Sequence, residues 1–237
     1  MKIVGRSVKG PVRAQNEDAL YIDEKRALWA VADGMGGHTG GAIASQIAVE
    51  VIADYFLNTP FLEPEKDLRQ VFQIINQKIK EKQAKDLKLK EMGTTLTLGV
   101  IRHSHLFIGH IGDSRAYVLR ANKLVKLTQD HTYVAKMISQ GIINEEDALS
   151  HPYRHFLIKA LDGANEEVDI VKFKLKPNDL FIFCTDGLLD GLTEAEIREI
   201  IIQYNSGDLE TLVEQLIENS IAKGSRDNIT VVLARND

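Results

Sequence analysis

Aspartates stand at the ends of several apolar runs in this chain. Asp33 follows Ala-Leu-Trp-Ala-Val-Ala, Asp113 follows Leu-Phe-Ile-Gly-His-Ile-Gly, and Asp186 follows Leu-Phe-Ile-Phe-Cys-Thr. Asp227 precedes the apolar run Ile-Thr-Val-Val-Leu. Each aspartate alone is typical of a turn, and a further Asp-Gly turn dipeptide occurs at Asp162. Strand ends that meet at one edge of a sheet would gather these carboxylates, whose mutual repulsion a divalent cation would relieve.

The residue types indicate which cation such a site would bind. Ligand sets made only of oxygen select hard ions, which are Mg²⁺, Mn²⁺ or Ca²⁺. The chain has one cysteine, Cys184, and no histidine pair with zinc-ligand spacing, so we do not expect zinc. The twelve-residue pattern of an EF-hand calcium loop is also missing. Cys184 itself lies in an apolar run and is interpreted as a buried structural thiol.

The elements that position these aspartates can be predicted from the periodicity of apolar residues. Helix pairs alternate with groups of short strands, which predicts an α+β fold with an antiparallel β-sandwich and helices on both outer sides. Residues 131–161 are expected to be irregular, with short helical pieces. Strands are predicted over 2–8, 27–32, 94–101, 105–111, 115–120, 124–127, 168–175, 179–185 and 228–234, and helices over 40–57, 63–87, 193–204 and 208–222.

Composition limits the class of protein. No linker or low-complexity tract divides the 237 residues, so a single domain is predicted over residues 1–237. The net charge of -5 argues against nucleic-acid binding and against attraction to anionic membranes. No signal peptide is recognisable, and no apolar run is expected to reach the roughly 20 residues that span a bilayer. We therefore expect a cytoplasmic location.

Seven segments of the chain, in order, match the motifs of a known family. The chain resembles the metal-dependent protein phosphatases of the PP2C (PPM) family, in particular the short bacterial members that consist of the catalytic domain alone. The similarity extends from about residue 5 to residue 235, which is nearly the whole chain. The segments are 10–18 (GPVRAQNED), 33–38 (DGMGGH), 93–95 (GTT), 112–115 (GDSR), 127–131 (LTQDH), 184–188 (CTDGL) and 224–230 (GSRDNIT).

The resemblance implies a fold, a metal site and an activity. The fold would be a central antiparallel β-sandwich flanked by pairs of helices, in four αββα layers. Two Mn²⁺ or Mg²⁺ ions, with a possible third, would bind near the aspartates. The implied ligands are Asp33 as the bridge between two ions, the carbonyl of Gly34, the carboxylates of Asp186 and Asp227, Asp18 through water, and Asp113 with Asp186 at a third ion.

The implied reaction is hydrolysis of phosphoserine and phosphothreonine in proteins. Two hard cations would acidify a shared water, and the resulting hydroxide would attack phosphorus directly, without a covalent phosphoenzyme. Asp33 would act at this centre, and Arg13 would clamp two phosphate oxygens through its planar guanidinium. His38 is a candidate general acid for the leaving oxygen. The expected partners are phosphorylated proteins and a cognate serine/threonine kinase, with neither nucleic acid nor membrane, and the expected state is a monomer.

Two other functions stay open on the sequence. One is a catalytically inactive adaptor of the same fold that binds phosphoproteins, and the other is a phosphomonoesterase for small molecules. Residues 137–161 resemble the variable flap of the family, where His151, Tyr153, Arg154 and His155 could contact a phosphoprotein. An ordinary surface excursion is an equal interpretation of this segment. His131 is interpreted as a packing residue.

Overall fold

A computed structural model of the chain describes residues 1–36, 39–60, 62–149, 151–164, 167–204 and 208–236. Strands and helices alternate in blocks along these ranges, as the apolar periodicity predicts. The strands are β1 (Lys2–Val8), β2 (Asp18–Asp23), β3 (Leu28–Met35), β4 (Gly93–Thr94), β5 (Leu96–Arg102), β6 (His105–Ile111), β7 (Arg115–Arg120), β8 (Lys123–Lys126), β9 (Asp169–Lys174), β10 (Leu180–Cys184) and β11 (Ile229–Arg235). The α-helices are α1 (Gly40–Asn58), α2 (Pro64–Lys85), α3 (Tyr133–Ser139), α4 (Glu145–Leu149), α5 (Asp186–Gly191), α6 (Glu194–Tyr204) and α7 (Leu209–Ala222).

The strands form two antiparallel sheets. The first sheet has the order β1-β11-β10-β7-β8, and the second has the order β2-β3-β5-β6-β9, with β4 pairing to the end of β3. The first strand of the chain therefore pairs with the last, in a register that joins Lys2 to Arg235 and Val8 to Ile229. In this first sheet β11 lies between β1 and β10, so the last strand is internal to the sheet.

Three apolar clusters define the layers. One packs α1 and α2 against the second sheet, and a second packs α5, α6 and α7 against the first sheet. The third lies between the sheets, where Trp29 contacts Phe181 and Phe183. The predicted four-layer αββα fold is confirmed by this arrangement and by the similarity to solved structures reported below.

Three local features differ from or extend the sequence prediction. Strand β2 was not predicted, because its six residues are only half-buried and show no alternation of buried and exposed positions. Helix α5 was not predicted either, because Asp-Gly at its start is typical of a turn. A capping box at the start of α6 also extends the prediction, since Glu196 accepts from the Thr193 N–H at 2.8 Å and the Glu196 N–H donates to Thr193 Oγ1 at 3.3 Å.

Helix α1 departs from the expectation about apolar length. Its 19 residues are long and apolar enough, by length and composition alone, to cross a membrane. However, 56% of this stretch is buried inside the protein, where it packs on β2, β3 and β4. Its apolar character is thus used to cover one face of the second sheet.

Candidate active site

Two of the predicted ligands face each other across neighbouring strands. Asp18 opens β2 and lies opposite Asp33 in β3 in the antiparallel register. Side chains of directly opposed residues project from the same face of a sheet. The pairing of β2 with β3 therefore places the Asp18 side chain beside that of Asp33, the predicted bridging ligand.

Hydroxyl groups from the other sheet hold Asp18 in place. Asp18 Oδ2 accepts hydrogen bonds from Thr185 Oγ1 at 2.8 Å and from Thr230 Oγ1 at 2.7 Å. The Thr230 N–H in turn donates to Thr185 Oγ1 at 3.0 Å. Thr185 follows β10 and Thr230 lies in β11, so these contacts join the two sheets at the edge where the aspartates lie.

Close backbone contact brings Asp186 and Asp227 to the same edge. Asp186 is the first residue of α5, and a Cβ atom on Gly187 would lie 2.0 Å from the Asn228 carbonyl oxygen. Asn228 also ties the N-terminal loop to this point, because its Oδ1 accepts from the Glu17 N–H at 2.9 Å. Segments that are far apart in sequence are thus held together around Asp227 by a close backbone approach and by the Asn228 side chain.

A buried pair of hydroxyls connects Asp33 to the turn that carries Asp113. The Asp33 N–H donates to Thr95 Oγ1 at 3.0 Å, and Thr95 Oγ1 lies 2.7 Å from Ser114 Oγ. Thr95 and Ser114 are both fully shielded from solvent or nearly so. The strand that bears Asp33 is therefore joined, through two buried hydroxyls, to the residue that follows Asp113.

The Gly34 carbonyl, another predicted ligand, is fixed by a crossing of two backbones. A Cβ atom on Gly34 would lie 2.1 Å from the Gly41 carbonyl oxygen, and a Cβ atom on Gly41 would lie 2.6 Å from the Gly34 carbonyl oxygen. Only glycine at both positions permits this approach of α1 to β3. The Gly34 N–H donates to the Glu17 carbonyl at 3.2 Å.

Burial and mutual repulsion raise the pKa values of the gathered carboxylates. Desolvation is the largest cause, and it raises the pKa of Asp18 to about 7 and that of Asp113 to about 8, with Asp186 adding repulsion at both. The pKa values of Asp33 and Asp186 are raised for the same two reasons. Carboxylates that resist ionisation in this way need a nearby positive charge to become anionic.

The donor set fits a hard cation. Asp186 Oδ1 is buried and has no hydrogen-bond partner among the described residues, although buried carboxylate oxygens are almost always paired. Within the same part of the chain, no three carboxylate, imidazole or thiol side chains are grouped so that they could hold an ion alone. A Mg²⁺ or Mn²⁺ ion here would complete its oxygen shell with backbone carbonyls and water, as Mg²⁺ does in most proteins.

The other predicted site residues lie at the rim of this edge or outside the described structure. The Arg13 guanidinium is half-exposed and pairs with Asp227 Oδ2. In the flap-like segment, His155 Nδ1 lies 3.8 Å from Asp186 Oδ2. His38 falls outside the described residues, so its role as general acid stays a prediction.

The structure adds residues that the sequence did not single out. Thr185, Thr230 and Asn228 hold the carboxylate-bearing segments, and each lies beside a predicted ligand or within the quoted motifs. In the sequence, the only signal that could have identified these residues is their position next to or near Asp186 and Asp227. His131 is buried as a packing residue would be, but its ring is also hydrogen-bonded on both nitrogens.

Comparison with known proteins identifies the family. A family model described as Protein phosphatase 2C matches residues 12–228. A serine/threonine phosphatase named stp from Listeria monocytogenes is 34% identical, over 98% of this chain and 94% of its own length. The serine/threonine protein phosphatase PstP of Mycobacterium tuberculosis is also 34% identical over 99% of this chain, which spans 45% of that longer protein.

Solved structures show the same similarity. A crystal structure of the M. tuberculosis phosphatase PstP/Ppp superimposes with a TM-score of 0.93 at 34% identity, covering 100% of this chain and 98% of that one. The catalytic domain of PstP, in complex with two manganese ions, gives a TM-score of 0.90 at 32% identity, with coverage of 100% and 98%. Because the family model matches most of the sequence and the relatives align over nearly all of it, the chain belongs to the protein phosphatase 2C family.

Proposed function

We propose that this protein is a metal-dependent protein serine/threonine phosphatase that hydrolyses phosphoserine and phosphothreonine. The observation that carries the proposal is the meeting of half-buried carboxylates from five separate segments at one edge of the sandwich, where Asp186 Oδ1 lacks a protein partner among the described residues. Family membership and relatives named as serine/threonine phosphatases support the same activity.

The carboxylate edge supplies the groups that would hold Mn²⁺ or Mg²⁺. Bound ions would acidify a water molecule for direct attack on phosphorus and would neutralise the charge of the phosphate. We assign their protein ligands as Asp33 and the Gly34 carbonyl, Asp186, Asp227, Asp18 through water, and Asp113 for an outer ion.

Arg13 would bind the substrate phosphate. Its side chain is half-exposed, and its planar guanidinium can donate to two phosphate oxygens at once. In the structure it pairs with Asp227, so phosphate binding would exchange this partner for the substrate. This exchange would free the Asp227 carboxylate to bind the cation. His38 is the proposed proton donor to the leaving oxygen.

Hydrolysis of a phosphothreonine peptide tests the proposal. We expect activity that requires Mn²⁺ and is abolished by EDTA. Asp33→Asn should reduce kcat by more than about a hundredfold, since even outer-shell changes at metal sites cost 10–100-fold. Asp54→Asn, at an exposed position of α1, is the matched control and should keep the wild-type rate.

Each alternative outcome has its own signature. Substantial hydrolysis after thorough removal of metal would overturn the mechanism. Calorimetric Mn²⁺ binding without turnover of any phosphoester would favour the inactive adaptor. Faster hydrolysis of small phosphorylated metabolites than of phosphopeptides would favour the small-molecule phosphomonoesterase.

We also propose the partners and the location. Phosphorylated proteins are the substrates. A cognate serine/threonine kinase supplies them, because a phosphate must be transferred to a protein before it can be removed. The negative net charge supports neither nucleic-acid nor membrane binding. The proposed state is a monomer in the cytoplasm, which light scattering and cell fractionation would test.

A further inference from the structure

Gly112, in the turn before Asp113, has both its backbone N–H and its backbone carbonyl hydrogen-bonded to one residue, His131. The Gly112 N–H donates to His131 Nδ1 at 3.0 Å, and the His131 N–H donates to the Gly112 carbonyl at 2.8 Å. Gly112 adopts φ +105°, and a Cβ atom there would lie 2.5 Å from Thr95 Cβ. The conformation of this turn thus depends on glycine at 112 and on residue 131.

The imidazole that makes this contact is itself fixed. His131 is only 6% exposed, and its Nε2 lies 3.1 Å from Asp169 Oδ2. Since Nδ1 accepts the Gly112 N–H, the neutral ring must carry its proton on Nε2 and donate it to Asp169. Asp169 lies in β9, and Lys159 Nζ is 3.5 Å from its other oxygen.

Contacts on either side of residue 131 extend this arrangement. The Ile158 N–H donates to the His131 carbonyl at 2.8 Å, which joins it to the end of the flap-like segment. On the other side of the turn, Ser114 reaches Asp33 through Thr95. His131 therefore stands between the flap-like segment and the carboxylate edge.

We propose that His131 is a positioning residue for Asp113, which it orients as a metal ligand by holding Gly112 through Nδ1. It acts through the backbone of the turn and touches neither substrate nor reacting atoms. The proposal rests on the proposed function only in that Asp113 is taken as a ligand of the outer ion. Groups that orient metal ligands in this way commonly contribute 10–100-fold to affinity or activity.

Two substitutions of His131 distinguish the roles of its two ring nitrogens. His131→Asn places an acceptor oxygen near the position of Nδ1, whereas His131→Gln places an amide donor near the position of Nε2. We expect His131→Gln to weaken Mn²⁺ binding at the weakest calorimetric site about tenfold, and His131→Asn to stay within about threefold of the wild type. Equal effects, or the opposite order, would overturn the proposal.

A measurement on the metal-free wild type does not depend on whether a variant folds. Ring ¹⁵N NMR spectra should show His131 as the neutral tautomer with the proton on Nε2. A proton on Nδ1 would be incompatible with the Gly112 contact and would overturn the proposal.

A double-mutant cycle tests whether His131 acts through Asp113. We expect His131→Gln also to lower kcat for a phosphothreonine peptide about tenfold, and this effect should disappear in the Asp113→Ala background. Additive effects would overturn the proposal. If the wild type does not hydrolyse the peptide, the proposed function fails, whereas the tautomer and Mn²⁺ calorimetry still decide the role of His131.

Discussion

Arg13 is the exposed member of an ion pair whose other member, Asp227, is a proposed metal ligand. Arg13→Lys keeps the positive charge but loses the planar fork that binds two oxygens of a phosphate. We expect the KM for a phosphothreonine peptide to rise about tenfold with kcat nearly unchanged, because the interaction lost is present in both ground and transition states. Steady-state kinetics at saturating Mn²⁺ measures both constants.

The control for this change is Arg6→Lys. Arg6 is equally exposed and pairs with Glu214 on the surface of α7, away from the carboxylates. It should leave both kinetic constants unchanged. An equal loss of kcat and kcat/KM in Arg13→Lys would instead mean that Arg13 acts only in the transition state.

At the scale of residues, sequence predicts the convergence of the aspartates better than the side chains that support them. Asp33, Asp186 and Asp227 stand at ends of apolar runs, so their convergence could be predicted once the strands were assigned. Thr185 and Thr230 could not be singled out, because threonine is common in strands and its hydroxyl partner depends on the other sheet. Which side chains hold Asp18 is therefore a property of the sheet packing.

Two adjacent glycines of α1 offer a test at the scale of elements. Gly41→Ala would place a Cβ atom 2.6 Å from the Gly34 carbonyl group, so α1 and β3 must separate. We expect a loss of at least about 2 kcal/mol in the free energy of unfolding, similar to overpacking in a core. Weaker Mn²⁺ binding should accompany it, because the displaced carbonyl is a proposed ligand. Urea denaturation and calorimetry measure the two effects.

Gly40→Ala is the matched control in the same helical turn. The atoms nearest to its Cβ would belong to Met92, beginning with a side-chain carbon at 3.1 Å. Stability should therefore change by less than about 1 kcal/mol, with wild-type Mn²⁺ affinity. Similar losses in both variants would show that the crossing with Gly34 is not the cause.

Helices and strands were predicted correctly where the spacing of apolar residues is regular, and were missed where the element is short. Helix α2 and strands β6, β7 and β10 lie close to their predicted bounds. Strand β2 was not predicted because it is a strand mainly through its pairing with β3, and its own residues do not alternate clearly between polar and apolar. Helix α5 has six residues, too few for a helical period to be recognised, and its start carries a turn dipeptide.

The whole metal-free molecule should lose stability as pH rises above neutral. The folded-state pKa values of Asp18 and Asp113 are about 7 and about 8, above the ordinary 3.8, so the folded protein binds more protons than the unfolded chain. This stabilisation is complete below pH 3.8 and is lost as pH rises through the folded values. His110, whose pKa is lowered to about 4, opposes it only below its ordinary 6.5.

Denaturation of EDTA-treated protein between about pH 6.5 and 8.5 measures this dependence. We expect the free energy of unfolding to fall across this window, and saturating Mn²⁺ to reverse the fall by pairing with the ionised carboxylates. Asp18→Asn should flatten the metal-free profile. A metal-free wild type whose stability rises with pH in this window would contradict the assigned proton uptake.

Internal placement of β11 has a consequence for the order in which the protein becomes functional during its synthesis. Most of the carboxylates have left the ribosome long before Ile229–Arg235, yet the sheet between β1 and β10 has a gap until that strand arrives. Thr230, which secures Asp18, arrives with it. We therefore expect nascent chains to stay inactive towards phosphoproteins until Ile229–Arg235 has left the ribosome, and to acquire activity in a single step once β11 pairs with β1 and β10.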